Sequence, residues 1–592
     1  MSSSILIHTV RVYGFRALKN IEVQLSQTTV LTGINNSGKT SFLKAMQVAL
    51  GNRLFLTHDD FFIEDNSHVD RIVIDVLIYP VDESGEIDSE FSEDWEILFT
   101  TNRIRFTEDG RAYISLRTVV KTDPVTGRIY TKQYILEQWI DFKFAEDKYW
   151  FEFEDGKEMP FVFEEIPFFY IDAQRDILED IKLKSSYMGR MLSAIEYNED
   201  DIEKIERQIE ELNTTAVERS DILKTVRDTL NELDPAMDGH SRGIEVTPFT
   251  KKIRDLSKGL TINYGDDDRT FSMEYHGMGT RSWSSLLTLK AFVELFKKNS
   301  EKKEKVYFPI IAAEEPEAHL HPNAQKKLYT QINGFVGQKI ISTHSPYIAA
   351  SAKLSEIRSF YKKADDVECG QIDTTELKPE WKRKIKRQVV HSRGEIFFSK
   401  CLVLCEGETE EQALPIFFKK YFGYSHSEVG IDFVGVNGYK NYMPFLNLAV
   451  GLNIPWIIFS DNDQDGSVKT DVERQVRKKG EELLSNVIFL NNGNDFEREL
   501  LQNGYEKEVK EAILSAKEYA NEHHREVQEQ KDKEEIDGFD IDELYNVMAG
   551  GKTMYAPLVA EAIVASGNDL PTKVVELFEK IKEILQLEVR SA

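Results

Sequence analysis

Residues 33–40 read GINNSGKT, which has the composition and spacing of a complete phosphate-binding loop. A strand-like run at residues 29–32 precedes the loop, and a helix-like run at residues 41–46 follows it. This strand–loop–helix order is the context that the motif requires. The glycines at positions 33 and 38 allow backbone N–H groups to point at phosphate oxygens, and the helix N-terminus adds a favourable dipole. The sequence therefore predicts a nucleotide-binding α/β domain.

Within this loop, each residue type suits one part of a nucleoside triphosphate bound with Mg²⁺. Lys39 is predicted to reach the β- and γ-phosphates, and the Thr40 hydroxyl is predicted to coordinate the Mg²⁺ ion. The residues expected to bind ATP at this site are Gly33, Asn36, Gly38, Lys39, Thr40 and Ser41.

The remaining groups of such a site are expected at the end of a later buried strand. Residues 306–313 form an apolar run that ends in Glu314 and Glu315. We expect Glu314 to hold Mg²⁺ through water, and Glu315 to act as the catalytic residue that polarises the attacking water. The alternative is a surface acidic turn, but so apolar a run is unsuited to an exposed end.

Three segments resemble parts of the ABC-type ATPases of the SMC and RecF group. Residues 314–322 (EEPEAHLHP) resemble the Walker B segment, and residues 342–346 (STHSP) resemble the switch-histidine loop. The resemblance implies that His344 senses the γ-phosphate and that Gln174 belongs to the Q-loop. Residues 276–285 resemble the signature motif but depart from its usual Leu-Ser-Gly-Gly form. In that group the signature of one subunit contacts ATP held by another, which implies a dimer.

Two further apolar runs end in acidic residues: Glu406 and Glu410 follow residues 401–405, and Asp461 and Asp463 follow residues 454–460. Period-two alternation predicts that Asp461 and Asp463 face the same side. Four carboxylates at neighbouring strand ends repel one another, and divalent cations relieve that repulsion. The pattern predicts a site for divalent cations.

This second region resembles the Toprim domain of type II topoisomerases, DnaG primases and some nucleases, in which a Glu follows one strand and Asp-x-Asp follows a later one. The Toprim resemblance implies that one or two Mg²⁺ or Mn²⁺ ions act there on phosphodiester bonds. Asp495 and Glu497 follow the next apolar run, and they are predicted either to complete a second metal site or to serve as helix N-terminal acids. Lys552 follows two glycines, as in the lysine element of the OLD (overcoming lysogenization defect) nucleases. The resemblance implies that Lys552 neutralises charge on the scissile phosphate.

An ABC-type ATPase followed by a Toprim domain is the arrangement of the OLD family, and this resemblance covers nearly the whole chain. It implies an α/β fold with an ATPase head that contains a β-rich lobe and a helical dimerisation insert, followed by a Toprim domain. The expected boundaries are residues 1–175 and 246–392 for the ATPase head, 176–245 for the insert and 393–592 for the Toprim domain. Residues 202–212 form a helix with one apolar stripe, which packs either within its own subunit or on a partner subunit.

The net charge of −28 disfavours a protein that coats nucleic acid through bulk electrostatics, but it does not exclude a nuclease. No apolar run approaches the roughly 20 residues needed to span a bilayer, and no export signal is visible, so we expect a cytoplasmic protein. A basic cluster is predicted to be either a solvated linker or a contact for the DNA backbone. Its members are Lys382, Arg383, Lys384, Lys386, Arg387 and Arg393.

Together these features lead us to expect an ATP-regulated DNA endonuclease that depends on Mg²⁺ or Mn²⁺ and nicks or cuts DNA in bacterial antiphage defence. The OLD resemblance, which extends to Gabija-type and retron-associated effectors, implies a homodimer or homotetramer. It also implies a companion helicase or reverse transcriptase encoded by a neighbouring gene. The alternative is an SMC- or RecF-like ATPase clamp that binds DNA without cleaving it.

Overall fold

The computed structural model describes residues 4–51, 55–145, 148–153, 156–159, 161, 163–178, 199–231, 263–266, 269–363, 366–375, 377–387, 393–491, 493–519 and 522–589. These residues form two compact units, the first from residues 1–162 with 340–592 and the second from residues 163–339. The predicted α/β fold class is confirmed. Across the described ranges, no helix combines the length and the apolar character that crossing a membrane requires.

The first unit contains an antiparallel sheet rich in β-branched residues, which is the β-rich lobe predicted from the sequence. Val76 of its central strand lies opposite Val10 on one side and Leu116 on the other, and all three are buried. Its strands, in sheet order, are Lys157–Glu158, Ile129–Ile135, Ala112–Thr122, Arg71–Val81, Ser4–Phe15 and Leu18–Gln24, with Arg105–Phe106 also pairing with Ala112–Thr122. Two short hairpins, Ile63–Glu64 with Ser67–His68 and Lys143–Ala145 with Lys148–Tyr149, accompany the sheet.

Strands of the nucleotide-binding region complete the N-terminal part of this unit. The fully buried strand Thr28–Thr32 pairs in parallel with Ile357–Lys363, which pairs in antiparallel fashion with Asp366–Gln371. After strand Gln338–Ser342, the N–H of Thr343 donates to the Leu31 carbonyl at 3.1 Å. The turn that follows this strand is therefore held beside the strand that leads into the phosphate loop.

The C-terminal part of the same unit contains a four-stranded parallel sheet in the order Ile431–Gly435, Cys401–Cys405, Trp456–Ser460 and Val487–Phe489. Every residue of Cys401–Cys405 and of Trp456–Ser460 is buried, as expected for parallel strands covered on both faces. Because the strands are parallel, their carboxyl ends lie at one edge, where ligands bind in open α/β sheets. The acids predicted from the sequence lie at this edge.

The helices of the first unit cover the sheets and supply the residues that follow their strands. Phe417 of helix Glu408–Phe422 and Val559 of helix Lys552–Ser566 share one hydrophobic core. The helices are Lys39–Leu50, Glu93–Phe99, Pro346–Ser351, Pro379–Ile385, Glu408–Phe422, Tyr442–Gly451, Ser467–Arg477, Phe496–Gln502, Glu506–Ser515, Glu522–Asp537, Ile541–Gly550, Lys552–Ser566 and Thr572–Leu585.

The second unit contains a parallel strand pair, Phe168–Ile171 with Ile310–Glu314, and a hairpin, Asn263–Asp266 with Arg269–Ser272. The apolar run predicted at residues 306–313 becomes a strand only from Ile310, directly after Pro309, whose ring nitrogen has no hydrogen to donate to a neighbouring strand. The helices of this unit are Glu199–Arg219, Asp221–Asn231, Met278–Lys302 and Pro322–Asn333.

The helical insert predicted at residues 176–245 is described in part, because residues 179–198 and 232–245 lie outside the described residues. Helix Glu199–Arg219 contains the predicted apolar stripe, which stays half-buried or exposed within this unit. Leu212 on this stripe is 53% exposed, and Ile222 on the next helix is 77% exposed. The packing partner of the stripe stays a prediction.

Candidate functional site

The phosphate loop has the backbone shape that cradles phosphate. Gly33 and Gly38 have φ values of +133° and +92°, which L side chains rarely adopt. A Cβ on Gly33 would also lie 2.2 Å from the Phe360 carbonyl oxygen, so only glycine fits there. The buried Lys39 ammonium donates to the carbonyls of Gly33 at 2.9 Å and Ile34 at 3.0 Å. The Lys39 side chain is thus hydrogen-bonded to the backbone of its own loop, and helix Lys39–Leu50 begins where the loop ends.

The turn after strand Gln338–Ser342, which carries His344, lies close to the phosphate loop. The charge of Lys39 therefore affects the pKa of His344. Ser345 caps helix Pro346–Ser351 by accepting from the N–H groups of Tyr347 and Ile348. This cap fixes the turn that carries His344. Burial, followed by the positive charge of Lys39, lowers the pKa of His344 to about 4, so its imidazole is neutral at pH 7. The structure therefore brings together Lys39 and His344, which the sequence predicted for one ATP site.

In the second unit, Glu314 ends strand Ile310–Glu314 and accepts a hydrogen bond from the Tyr170 hydroxyl. Glu315 follows it with a φ of +39°, a left-handed conformation that marks a sharp turn. Gln174 is exposed in the loop after strand Phe168–Ile171. The structure thus places the predicted Walker B residues at the end of a buried strand and the predicted Q-loop residue on a surface loop.

Arg175 is a residue of the second unit that the sequence analysis missed. Its buried guanidinium donates to the Ser282 carbonyl at 3.0 Å and to the Pro316 carbonyl at 2.9 Å. It therefore ties the start of helix Met278–Lys302, which carries the signature-like segment, to the turn after Glu315. A charged residue beside the predicted Gln174 was the available signal, but its partners lie more than 100 positions away.

At the C-terminal sheet, Glu406 directly follows strand Cys401–Cys405 and Asp461 directly follows strand Trp456–Ser460. The Oε2 atom of Glu406 and the Oδ1 atom of Asp461 are both buried and accept no hydrogen bond. Buried carboxylate oxygens without partners are rare in folded proteins and call for an explanation. Oxygen ligands of this kind are those that Mg²⁺ and Mn²⁺ prefer, so these residues fit a divalent ion.

Two more buried acids accompany them. Glu410, on helix Glu408–Phe422, accepts from the Gly407 N–H at 3.1 Å. Glu497 accepts from the Thr409 hydroxyl at 2.8 Å and pairs with the Lys552 ammonium at 3.1 Å. The hydroxyl of Thr409 is therefore a further member of the site that was not predicted from the sequence, although it lies between the predicted Glu406 and Glu410.

Electrostatics link these acids into one group. Burial raises the pKa of Glu410 to about 7, and the charges of Glu497 and Glu406 add to this shift. Burial also raises the pKa of Asp461 well above its usual range, with further contributions from Glu410 and Glu406. The ionised acids thus destabilise one another, and a bound cation would relieve that repulsion.

Lys552, the first residue of helix Lys552–Ser566, supplies a positive charge to the same group. Burial alone would lower the pKa of its ammonium, but the charges of Glu497, Asp495 and Glu410 outweigh burial, so the pKa is raised. Lys552 therefore stays protonated at neutral pH, and its ammonium contacts Glu497, one of the acids predicted from the sequence.

Asp463 and Asp495 both accept hydrogen bonds at helix N-termini, and their charges add to the effect of burial in raising the pKa of Glu406. Asp463 accepts from the Val468 N–H at 3.0 Å and the Ser467 hydroxyl at 2.6 Å. Asp495 accepts from the Arg498 N–H at 2.9 Å, which is the alternative role given to it above. The strand ends at Ser460, and Asn462 forms an isolated β-bridge with Asn494 between the two acids Asp461 and Asp463.

Tyr545 also holds Asp495, through a hydrogen bond of 2.7 Å from its hydroxyl. No sequence signal connects Tyr545 with the acidic segments, because it comes from the later helix Ile541–Gly550. Among the described residues, no three acidic, histidine or cysteine side chains converge closely enough to enclose a metal ion on their own. The acids thus share one sheet edge and act on one another's pKa without forming a closed cage.

The predicted basic cluster is divided between two environments. Lys382, Arg383 and Lys384 are exposed on helix Pro379–Ile385. Arg393 instead forms a bidentate ion pair with Glu411, at 2.6 and 3.1 Å, and Glu411 also accepts from the Gly435 N–H. Arg393 therefore braces the C-terminal sheet, and its predicted role as a DNA contact is not supported by this geometry.

We expect Lys39→Ala to weaken ATP binding roughly 30-fold, because a charge-assisted contact to phosphate contributes about 2 kcal/mol. Calorimetry with ATP measures this loss, and Lys362→Ala, which removes an exposed lysine of strand Ile357–Lys363, is the matched control. Affinity for Mn²⁺, measured without nucleotide, should stay unchanged because the acids lie on a different sheet. Loss of Mn²⁺ binding in Lys39→Ala would contradict two separate sites.

Two known family profiles match this chain, the first in its N-terminal part and the second in its C-terminal part. The profile of the family described as AAA ATPase domain matches residues 6–349. A second profile, described as overcoming lysogenization defect protein-like, TOPRIM domain, matches residues 397–463. The second match begins just before strand Cys401–Cys405 and ends at Asp463, so it contains Glu406, Glu410 and Asp461.

Several named proteins are similar in sequence to this chain. A protein named OLD nuclease from Thermus scotoductus is 23% identical over 512 residues, covering 81% of this chain and 85% of that protein. The Old nuclease of Escherichia phage P2 is 22% identical over 490 residues, covering 78% of each chain. A shorter match of 233 residues, 24% identical, links 34% of this chain to 33% of a protein named Endonuclease GajA from Bacillus cereus.

Proposed function

This chain belongs to the AAA ATPase domain family and joins that domain to an OLD-like Toprim domain, and from this pairing we propose that it is an ATP-regulated, divalent-metal-dependent DNA endonuclease of bacterial antiphage defence. One observation carries the proposal. The buried, unpartnered oxygens of Glu406 and Asp461 lie at the carboxyl edge of the Toprim sheet, and the positive charge of Lys552 acts on Glu406. Relatives named as nucleases match most of the chain, which supports the same reading.

In this proposal Glu406 and Asp461 hold a Mg²⁺ or Mn²⁺ ion, with Glu410 beside them. Asp463, Asp495 and Glu497 are the acids that would hold a second ion, which would compete with the hydrogen bonds that they accept. When bound, such ions polarise the scissile phosphate and generate a nucleophilic water at neutral pH.

The chain's own residues have distinct roles around the phosphate. Lys552 would neutralise the charge that develops on the phosphate oxygens, as positioned cations do in other phosphoryl-transfer sites. Glu497 keeps the Lys552 ammonium at the edge of the acidic group, and Thr409 in turn orients Glu497. Because Glu497 is buried and bonded on both sides, it supports the position of Lys552 as well as adding negative charge.

At the ATP site, we assign the phosphates to residues 33–41 and Mg²⁺ binding to Thr40. By the resemblance to ABC-type ATPases, Glu314 would hold Mg²⁺ through water and Glu315 would polarise the attacking water. His344 would report the γ-phosphate as a neutral hydrogen-bonding group, since its lowered pKa removes the charged form near pH 7. Gln174 would contribute from the Q-loop. These roles follow the resemblance to ABC-type ATPases.

Assembly is part of the proposal. The exposed Leu212 and Ile222 on the two described insert helices support a homodimer or homotetramer formed through this region. The antiphage role rests on the resemblance of the two-domain layout to Gabija-type and retron-associated nucleases. A helicase or reverse transcriptase from a neighbouring gene would then be the companion protein.

Incubation with supercoiled plasmid DNA tests this function directly. We expect relaxation or linearisation of the plasmid in the presence of Mg²⁺ or Mn²⁺, none in the presence of EDTA, and a change in rate when ATP is added. Gel electrophoresis separates the supercoiled, nicked and linear forms. DNA binding without strand scission in either metal would instead favour an SMC- or RecF-like clamp.

A further inference from the structure

A cavity of about 550 Å³ lies beside the phosphate loop, and its wall is shared between the ATPase part and the start of the Toprim part of the first unit. Its lining includes Ile34 and Asn35 of the loop and His344 of the switch turn, together with Glu395, Phe398 and Lys400. A cavity of this size is within the range that small-molecule ligands occupy. The last three residues belong to neither of the motifs that predicted the ATP site.

The Toprim wall of this cavity is packed tightly on the switch turn. A Cβ on Gly394 would lie 2.7 Å from the Pro346 carbonyl oxygen, so the backbones of the two segments are in close contact. The ring centroids of His344 and Phe398 are 6.2 Å apart. A displacement of the switch turn would therefore require residues 394–398 to move as well.

Lys400 supplies positive charge to this wall. The Lys400 side chain is exposed, and none of the described carboxylates forms an ion pair with its ammonium. The imidazole of His344 is neutral at pH 7, so it cannot provide a cation. An anion that enters the cavity from the phosphate loop would therefore find in Lys400 a positive partner additional to Lys39, while Glu395 would repel it.

Lys400 is also joined to the acidic site by a short, rigid path. Its backbone N–H donates to the Gly430 carbonyl at 2.8 Å, and the fully buried strand Cys401–Cys405 follows at once. Glu406, one of the two acids with an unpartnered oxygen, is the next residue. Only five strand residues thus separate the cavity from the proposed metal site.

We propose that this cavity receives the terminal phosphate of bound ATP and that Lys400 contacts that phosphate, so that the Toprim domain senses the nucleotide state within one chain. The inference rests on the proposed function, because it names the route by which ATP would regulate cleavage. ADP lacks the terminal phosphate and would leave Lys400 without this contact. Lys400 is therefore a residue that distinguishes ATP from ADP.

Calorimetry with ADP and with a non-hydrolysable ATP analogue tests the inference without any DNA. We expect the wild-type protein to prefer the ATP analogue, and Lys400→Ala to reduce the ratio of the two affinities roughly tenfold by weakening the ATP analogue alone. Glu395→Gln should shift the ratio the other way, because it removes a negative charge from the wall. Lys420→Ala, which removes an exposed lysine from helix Glu408–Phe422, should leave the ratio unchanged.

A second readout follows the change in plasmid nicking rate when nucleotide is added. In Lys400→Ala the nicking rates with and without nucleotide should be nearly equal, whereas Lys420→Ala should respond to nucleotide like the wild type. An unaltered affinity ratio in Lys400→Ala, or an equal loss in Lys420→Ala, would overturn the inference. If the wild-type protein does not nick DNA, the proposed function fails, but the affinity ratio still decides the role of Lys400.

Discussion

Asp461→Asn is expected to reduce metal-dependent nicking of supercoiled DNA about a thousandfold. The amide keeps the shape of the side chain but removes the negative charge that holds a divalent ion. Loss of such a ligand costs on the order of 4 kcal/mol of transition-state stabilisation. Initial rates of nicking in Mg²⁺ and in Mn²⁺ measure the effect, and calorimetry with Mn²⁺ should show a parallel loss of binding.

Asp569→Asn provides the matched control, since it makes the same chemical change at an exposed carboxylate near the C-terminus. Its nicking rate should equal that of the wild-type protein, and circular dichroism should show that both variants are folded. Nicking by Asp461→Asn at the wild-type rate would remove the Toprim edge from consideration as the active site.

Lys552→Ala is expected to slow nicking about a hundredfold while metal binding is kept. Removing one positioned group that stabilises transition-state charge typically has an effect of this size. Loss of Lys552 removes one positive charge from the acidic site, although it also raises the pKa values of Glu406 and Glu410. A divalent cation can replace the missing positive charge. Affinity for Mn²⁺ should therefore stay at the wild-type level or increase.

This opposite response of rate and affinity separates a role in chemistry from a role in metal binding. The control is Lys507→Ala, which removes an exposed lysine from helix Glu506–Ser515 and should change neither quantity. A tenfold loss of Mn²⁺ affinity in Lys552→Ala would show that the lysine supports the metal site instead of acting on the phosphate.

The parts of the molecule that could be predicted from the sequence are those governed by local rules. Strands Cys401–Cys405 and Trp456–Ser460 are apolar throughout because both faces of a parallel sheet are buried. The phosphate loop needs glycine at positions 33 and 38 for its φ values, so the loop can be recognised from the spacing of these glycines. Local periodicity therefore located both strand ends where the acids lie.

The remaining features depend on contacts between distant segments, which carry no local pattern. Tyr545 reaches Asp495 from 50 positions away, and Arg175 reaches Ser282 from 107 positions away. The hydrogen bonds that Asp463 accepts from Ser467 and Val468, at the start of the next helix, could likewise not be derived from strand alternation. Strand bounds and side-chain partners decide such roles, and neither can be derived from spacing alone.

The two hydrogen bonds from Lys39 to its own loop carbonyls have a consequence for which molecules can bind there. A loop that is already in its binding shape loses little conformational freedom when a ligand arrives, so less of the interaction energy is spent on ordering. The Lys39 ammonium must, however, exchange its hydrogen bonds to two neutral carbonyl oxygens for hydrogen bonds to the ligand. Polyphosphates make that exchange favourable because their oxygens are charged, whereas an uncharged nucleoside cannot replace the lost hydrogen bonds. The charge of the ligand therefore contributes more to binding at this loop than the identity of its base.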